Sequence, residues 1–216
     1  MTIKALDDKY KQVVKGDLRW FIPYFPFARD DRRRGFTHAD TLHLAMDVLG
    51  EMRDRIIIAD PHSFVTERML HIPQMYVVDQ FVDQYLFGGS PDIVIPDKGA
   101  TAKAETWLNR VPHGEVHQGY KKRDPHTGDL SGFGVEGNPD LHGKKVVIID
   151  DICDGGGTFL GLGAEINRLG AYELKLGVTH GLFTKGMTAL EDTFDVIMSM
   201  GHDVPWKKLL EEGGMV

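Results

Sequence analysis

Cysteine is nearly absent from this chain of 216 residues, with Cys153 its only one. A lone thiol cannot close an intrachain disulfide, so folding does not depend on oxidation, and the reducing cytoplasm is the expected compartment. There is no Cys-x-x-Cys pair, and the ten histidines form no His-Glu-x-x-His pattern. Both absences argue against a structural zinc site. No apolar run approaches the ~20 residues of a membrane span. The stretch from Met1 to Lys15 is polar and lacks the apolar core of a secretion signal. No membrane partner is therefore expected. Positive charge is in the minority, since 25 Lys and Arg against 32 Asp and Glu leave −7. An acidic chain is a poor general binder of nucleic acid, whose affinity comes from neutralised phosphates. Low-complexity tracts are missing too. The hydrophobic share of 42% is ordinary for a folded protein, and the length suits one large domain or two small ones.

What is there is a recurring unit. Trp20-Phe21-Ile22, Ile56-Ile57-Ile58-Ala59, Ile93-Val94-Ile95 and Val146-Val147-Ile148-Ile149 are short apolar runs. Each ends at once in polar residues: Pro23 leading to Arg29, Asp60-Pro61-His62, Pro96-Asp97-Lys98-Gly99, and Asp150-Asp151. Continuous apolar runs indicate strands buried on both faces, as in parallel sheets covered by helices. Open α/β sheets bind ligands at the C-terminal ends of such strands. Residues 39–53, 102–109 and 158–169 carry helical spacing, with Thr37 and Asp40 as possible caps for the first and Gly170 as a stop for the last. The alternation predicts an α/β fold. A turn at Gly88-Gly89-Ser90-Pro91 suggests a boundary within 79–89. The glycine-rich stretch 113–142 reads as a long loop, and Lys121-Lys122-Arg123 at its start suggests a lid closing on phosphate.

The most informative stretch runs from Val146 to Thr158. A buried strand delivers Asp150 and Asp151. Neighbouring side chains on a strand point to opposite faces, so these two diverge unless the strand ends between them. Asp154, Gly155, Gly156, Gly157 and Thr158 follow, leading into a helix. Glycines let backbone N–H groups converge on an anion, and a helix N-terminus adds partial positive charge. One end of the motif suits a phosphate, and the other suits hydroxyl groups or hydrated Mg²⁺. A sugar phosphate spans the two.

This motif resembles the 5-phosphoribosyl 1-diphosphate motif of type I phosphoribosyltransferases and ribose-phosphate diphosphokinases. Other segments resemble the diphosphokinases in particular, in family order from about residue 16 to 198. Tyr24 to Arg33 is similar to their ATP-site strand and loop, with Arg29 and Asp31 matching, Asp30 in place of the usual Gln, and Arg32 and Arg33 beyond. Asp60-Pro61-His62 is similar to Asp-Leu-His, whose His is a metal ligand. Pro96-Asp97-Lys98-Gly99 resembles Pro-Asp-x-Gly of the ribose-phosphate site. Tyr120-Lys121-Lys122-Arg123 resembles the mobile catalytic loop, and Thr179-His180 a further match. Outside this context the charge run and the turns would pass for surface features.

The resemblance implies two tandem domains of the type I phosphoribosyltransferase kind, with parallel sheets flanked by helices. The first, 1–82, would be an ATP-side domain, and the second, 83–216, would bind ribose phosphate. The family's Phe-Ser-Asp-Gly-Glu adenine segment has no counterpart here, so the first domain is expected to be truncated. A fragment, a divergent form and a natural minimal version all fit. By the same resemblance Lys121 and Arg123 are catalytic. Arg29, Asp30, Asp31, Arg32 and His62 bind ATP. Asp97, Asp150, Asp151, 154–157 and Thr158 bind ribose 5-phosphate. His62 and Asp97 ligate Mg²⁺, and the chain forms a homo-oligomer. The implied activity is synthesis of 5-phosphoribosyl 1-diphosphate. A phosphoribosyltransferase consuming that compound, or a non-catalytic regulatory subunit, are the alternatives.

Overall fold

The computed structural model describes residues 3–13, 18–25, 27–29, 41–70, 89–109, 111–123 and 130–200, and of these only the backbone is placed at 3–5, 106, 107, 123, 130 and 131. They fall into two units, 1–76 and 77–216.

In the first unit, helix α1 (Ile3–Lys11) precedes strand β1 (Trp20–Ile22). Helix α2 (Thr41–Leu49), a 3-10 helix (Gly50–Arg55), strand β2 (Ile56–Ile58) and helix α3 (Phe64–Met69) follow. Strands β1 and β2 pair in parallel, from Trp20↔Ile56 to Ile22↔Ile58. Leu42, Met46 and Leu49, spaced by four and three, put one face of α2 on a core shared with Phe25, Met52, Ile56, Ile58 and Leu70. The helix expected through 53 changes to the tighter 3-10 form at Gly50, whose φ of 52° suits a residue without a Cβ. Asp7 is buried. It accepts two hydrogen bonds from Arg55, 2.7 and 2.8 Å, and one from Trp20 Nε1, 2.8 Å. The Arg55 guanidinium above all, with Trp20 and Lys11, holds its carboxyl well below the usual range despite burial.

The second unit holds a six-stranded sheet among the described residues, in the order β5-β4-β3-β6-β7-β8. These strands are β3 (Asp92–Ile95), β4 (Val116–Arg123), β5 (Leu130–Val135), β6 (Lys145–Cys153), β7 (Glu173–Gly181) and β8 (Val196–Ser199). All neighbours are parallel except β4 and β5. Helix α4 (Thr101–Leu108) follows β3, helix α5 (Gly157–Arg168) follows β6, and the single-turn helix α6 (Thr188–Glu191) follows β7. Val94, Val146, Ile148, Leu174 and Leu176 meet Phe159, Leu162 and Ile166 of α5 in the core. The α/β class with a mostly parallel sheet is thus as expected.

The reading of 113–142 as one long loop is corrected. Residues 116–123 and 130–135 form an antiparallel hairpin that continues the sheet. Its glycines serve close approach rather than looseness. A Cβ on Gly119 would lie 2.8 Å from the carbonyl oxygens of Ile95 and Pro96, and one on Gly134 would strike the Tyr120 ring. Of the stretch, 124–129 lies outside the described residues.

Candidate functional site

The sheet order places the site. From β3 the chain moves outward to β4, and from β6 it moves the opposite way to β7. Strands β3 and β6 are neighbours, so their C-terminal ends flank a topological switch point, where open α/β sheets form a ligand crevice. The turn 96–100 leaves β3 there, and the turn 154–156 leaves β6 there.

Strand β6 is longer than its apolar run. Its pairing with β7 continues through Asp150↔Val178 to Cys153↔Gly181, so both carboxylates sit within the strand. Asp151 is buried, and Lys103 of α4 donates to its Oδ2 at 3.0 Å. Asp150 is half-buried and turns back to accept the Asp151 N–H at 2.8 Å. The divergence expected of strand neighbours is therefore incomplete. Burial, then the Asp151 charge beside it, pushes the Asp150 carboxyl well above the ordinary range. Two acids that cannot both ionise cheaply are poised for partners that relieve the repulsion, such as vicinal hydroxyls or a cation. Cys153 is buried and its thiol is pushed up to about 11 by that burial and by Asp150 and Asp154. It is an inert core thiol.

The glycine turn follows. Gly156 stands at φ 75° as the N-cap of α5, with no side chain capping the helix. The first intrahelical bond is Leu160 N–H to Gly156 O. Three N–H groups ahead of it, at 157–159, belong to an uncapped N-terminus, with Thr158 half-buried among them. Such a turn is a ready anion site. Asp154 behaves differently from its neighbours, because its Oδ1 accepts the Thr184 hydroxyl at 2.8 Å and its carbonyl accepts the Thr184 N–H.

Across the switch point, Asp97 Oδ2 pairs with Lys121 Nζ at 2.6 Å, and Asp97 Oδ1 accepts the Gly99 N–H at 2.8 Å. Burial raises the Asp97 carboxyl, but Lys121 and the N–H groups of Gly99 and Ala100 outweigh it, and the net shift is downward. The hairpin thus brings Lys121 to the switch point, as a side chain on a strand rather than on a loose lid.

The other expected residues are distributed as follows. The side chain of Arg123 and residues Asp30, Asp31, Arg32 and Arg33 lie outside the described ones. Arg29 and His62 belong to the first unit, where both are exposed. Sequence reasoning missed Lys103 and Thr184, which carry no motif of their own. The only available signal was a lysine one helical turn after Pro96-Asp97-Lys98-Gly99.

A second cluster lies at the opposite, N-terminal end of β3. Ligand atoms of Asp92, Glu115 and His117 fall within 4.8 Å of one another. Lys144 Nζ already stands among them, 2.9 Å from Asp92 and 3.3 Å from Glu115. Burial raises the Asp92 carboxyl, but His117, Lys144 and the Glu115 N–H outweigh it and hold it below its usual range. An ammonium fills the place a cation would take, so this is an ion-pair knot closing the bottom of the sheet.

Residues 80–208 match the phosphoribosyl transferase domain family. The putative ribose-phosphate pyrophosphokinase 2 of Lactococcus lactis is 29% identical over 196 residues, covering 88% of this chain and 60% of its own length. The ribose-phosphate pyrophosphokinase of Mycoplasmopsis pulmonis is 28% identical over 205 residues, 91% of this chain and 62% of that one. The chain spans about three fifths of the length of these relatives. The crystal structure of phosphoribosylpyrophosphate synthetase from Mycobacterium smegmatis superposes with a TM-score of 0.72 at 20% identity, over 90% of this chain and 71% of that one. That likeness is one of fold. Among the described residues no helix is long and apolar enough to cross a membrane.

Proposed function

The chain belongs to the phosphoribosyl transferase domain family, and from that premise we propose that it makes 5-phosphoribosyl 1-diphosphate from ATP and ribose 5-phosphate, as a ribose-phosphate diphosphokinase. The observation that carries this reading is the switch point itself. Paired carboxylates, an uncapped glycine turn and a lysine held on Asp97 converge there. The choice of reaction is supported by relatives named ribose-phosphate pyrophosphokinase, such as those of Mycoplasmopsis pulmonis and Thermococcus kodakarensis.

The 5-phosphate would sit on the N–H groups of 155–158 and on the Thr158 hydroxyl. Asp150 and Asp151 would accept hydrogen bonds from the ribose hydroxyls. The ribose 1-oxygen attacks the β-phosphorus of ATP and loses its proton to water. The bond from that phosphorus to the oxygen shared with the α-phosphate breaks, and AMP departs with that oxygen. Catalysis of this kind is mostly positioning and charge stabilisation. Lys121 would leave Asp97 for the transferred phosphates, joined by Arg123, where negative charge grows. Arg29, Asp30, Asp31, Arg32 and His62 would serve ATP.

The residues present fit Mg²⁺. That ion takes one or two carboxylates and completes its shell with water and substrate phosphate. Asp97 is a half-exposed carboxylate held in its charged form, and it would be open to an ion once Lys121 has left it for phosphate. Asp97 would hold the ion, whose contribution when bound is to neutralise phosphate charge.

The test is the purified chain with Mg²⁺, ATP and ribose 5-phosphate. Release of AMP that depends on ribose 5-phosphate supports the proposal. Diphosphate release from 5-phosphoribosyl 1-diphosphate that depends on a nucleobase would make it a phosphoribosyltransferase instead. Binding of both substrates without turnover would make it a regulatory subunit.

A further inference from the structure

The loop after β7 is fastened to the glycine turn. The N–H groups of Leu182 and Phe183 both donate to the Cys153 carbonyl, at 2.8 and 3.2 Å. Thr184 binds Asp154 twice, N–H to carbonyl at 3.0 Å and hydroxyl to Oδ1 at 2.8 Å. Gly186 N–H then returns to the Phe183 carbonyl at 2.8 Å, closing a tight turn with φ of 45° at Phe183 and 80° at Gly186. Lys185 stands at the tip of that turn, and its stem lies on Gly155. A Cβ at Gly155 would be 3.2 Å from Lys185 Cδ, 3.3 Å from Cε and 3.4 Å from Cγ. Gly155 thus leaves room for a lysine to cross the turn.

The charges around the turn give that lysine a task. Asp150, Asp151 and Asp154 gather at one strand end, and a phosphate docking on 155–158 enters their field. Backbone N–H groups alone carry no net charge to offset it. Lys103 is committed to Asp151 and Lys121 to Asp97, while Lys98, on the turn after β3, is exposed and reaches only Glu136 at 3.8 Å. Lys185 is exposed and pairs with no described carboxylate.

We propose that Lys185 is a phosphate-binding residue, its ammonium closing over the phosphate group of the sugar phosphate held by the turn. This rests on the reading of the turn under Proposed function. It also gives Asp154 a second duty, since its carboxylate staples the loop that carries the lysine.

The test is calorimetric titration of the full chain with ribose 5-phosphate, using the unsubstituted protein, Lys185→Ala, Lys185→Gln, Lys185→Arg and, as a charge control, Lys145→Ala. Lys145 begins β6 at the opposite end of the sheet and pairs with Glu173. Loss of one charge-assisted hydrogen bond should weaken binding about tenfold in the Ala and Gln variants. The Arg variant should stay within about threefold, and Lys145→Ala should match the unsubstituted protein. In turnover, KM for ribose 5-phosphate should rise while kcat holds. Equal affinity of Lys185→Ala and the unsubstituted chain would overturn the assignment alone. An unsubstituted chain that does not bind ribose 5-phosphate would overturn the assignment together with the reading of the turn.

Discussion

Asp150 shows what a single residue can hold in reserve. Its folded carboxyl keeps its proton more tightly than the unfolded one does, because of burial and Asp151. The folded state binds more protons, so its stability falls as pH rises above the unfolded value near about 3.9. Asp150→Asn removes the ionisation and keeps an oxygen for the Asp151 N–H. It should raise the melting midpoint by a few degrees at pH 7.5, gain nothing at pH 4, and lose turnover. Differential scanning calorimetry at the two pH values checks the sign. A variant that melts lower at pH 7.5 would show that Asp150 is not strained. Lys121 is the second residue whose replacement discriminates. With its partner Asp97 held ionised, Lys121→Ala should cut kcat by about 10²–10³-fold, the usual loss for one group that stabilises developing charge. An unchanged kcat in single-turnover assays would remove it from the chemistry. Asp150, Asp151 and the glycine turn were legible in the sequence because chemistry and spacing coincide over thirteen consecutive residues. Lys103 and Lys185 were not, since each reaches the site from a distant position and only folding brings them there.

At the scale of elements, the hairpin is where sequence reading and structure part. Glycine and charge density suggested a loop. What the composition could not reveal is that Gly119 and Gly134 face a carbonyl pair and an aromatic ring. Phe133 ties this hairpin to α5, since a Cβ on Gly161 would strike its ring, and Phe133 is also the cross-strand partner of Lys121. Gly161→Val should therefore cost about 1–3 kcal/mol by overpacking. Hydrogen exchange in 130–135 should quicken while β7 keeps its protection, and kcat should fall with it. If exchange in the hairpin were unchanged, the helix would not be its support. The strands β3 and β6, by contrast, were read correctly as buried runs, because continuous β-branched residues have few other places to go. The end of β6 was misjudged, for backbone pairing with β7 carries it past the apolar residues to Cys153.

For the whole molecule, charge and length take on local meaning. The −7 would seem to repel the anionic substrates proposed above, yet Lys103, Lys121 and Lys185 stand at one end of the second sheet, two of them paired with Asp151 and Asp97, and under the proposed function Mg²⁺ would add to that positive charge. Chelating Mg²⁺ with EDTA should abolish AMP formation and leave the melting midpoint within about 2 °C, because both cores are apolar and no described fold contact depends on a metal. A large fall in the midpoint would mean the metal is structural. The two cores are also separate in composition. One draws on residues between Phe25 and Leu70, the other on residues between Val94 and Phe194. The division into two tandem domains was an expectation from the family resemblance.

Local order was decided by the sequence itself, through apolar runs that must be buried and a strand–acid–glycine–helix series whose groups are close in the chain. Tertiary structure alone decided everything that depends on distant residues meeting. It set β3 beside β6 to make the crevice, turned a glycine-rich stretch into a hairpin by close packing, and laid Lys185 across Gly155. Such contacts follow from how surfaces fit after collapse, and no spacing along the chain encodes them.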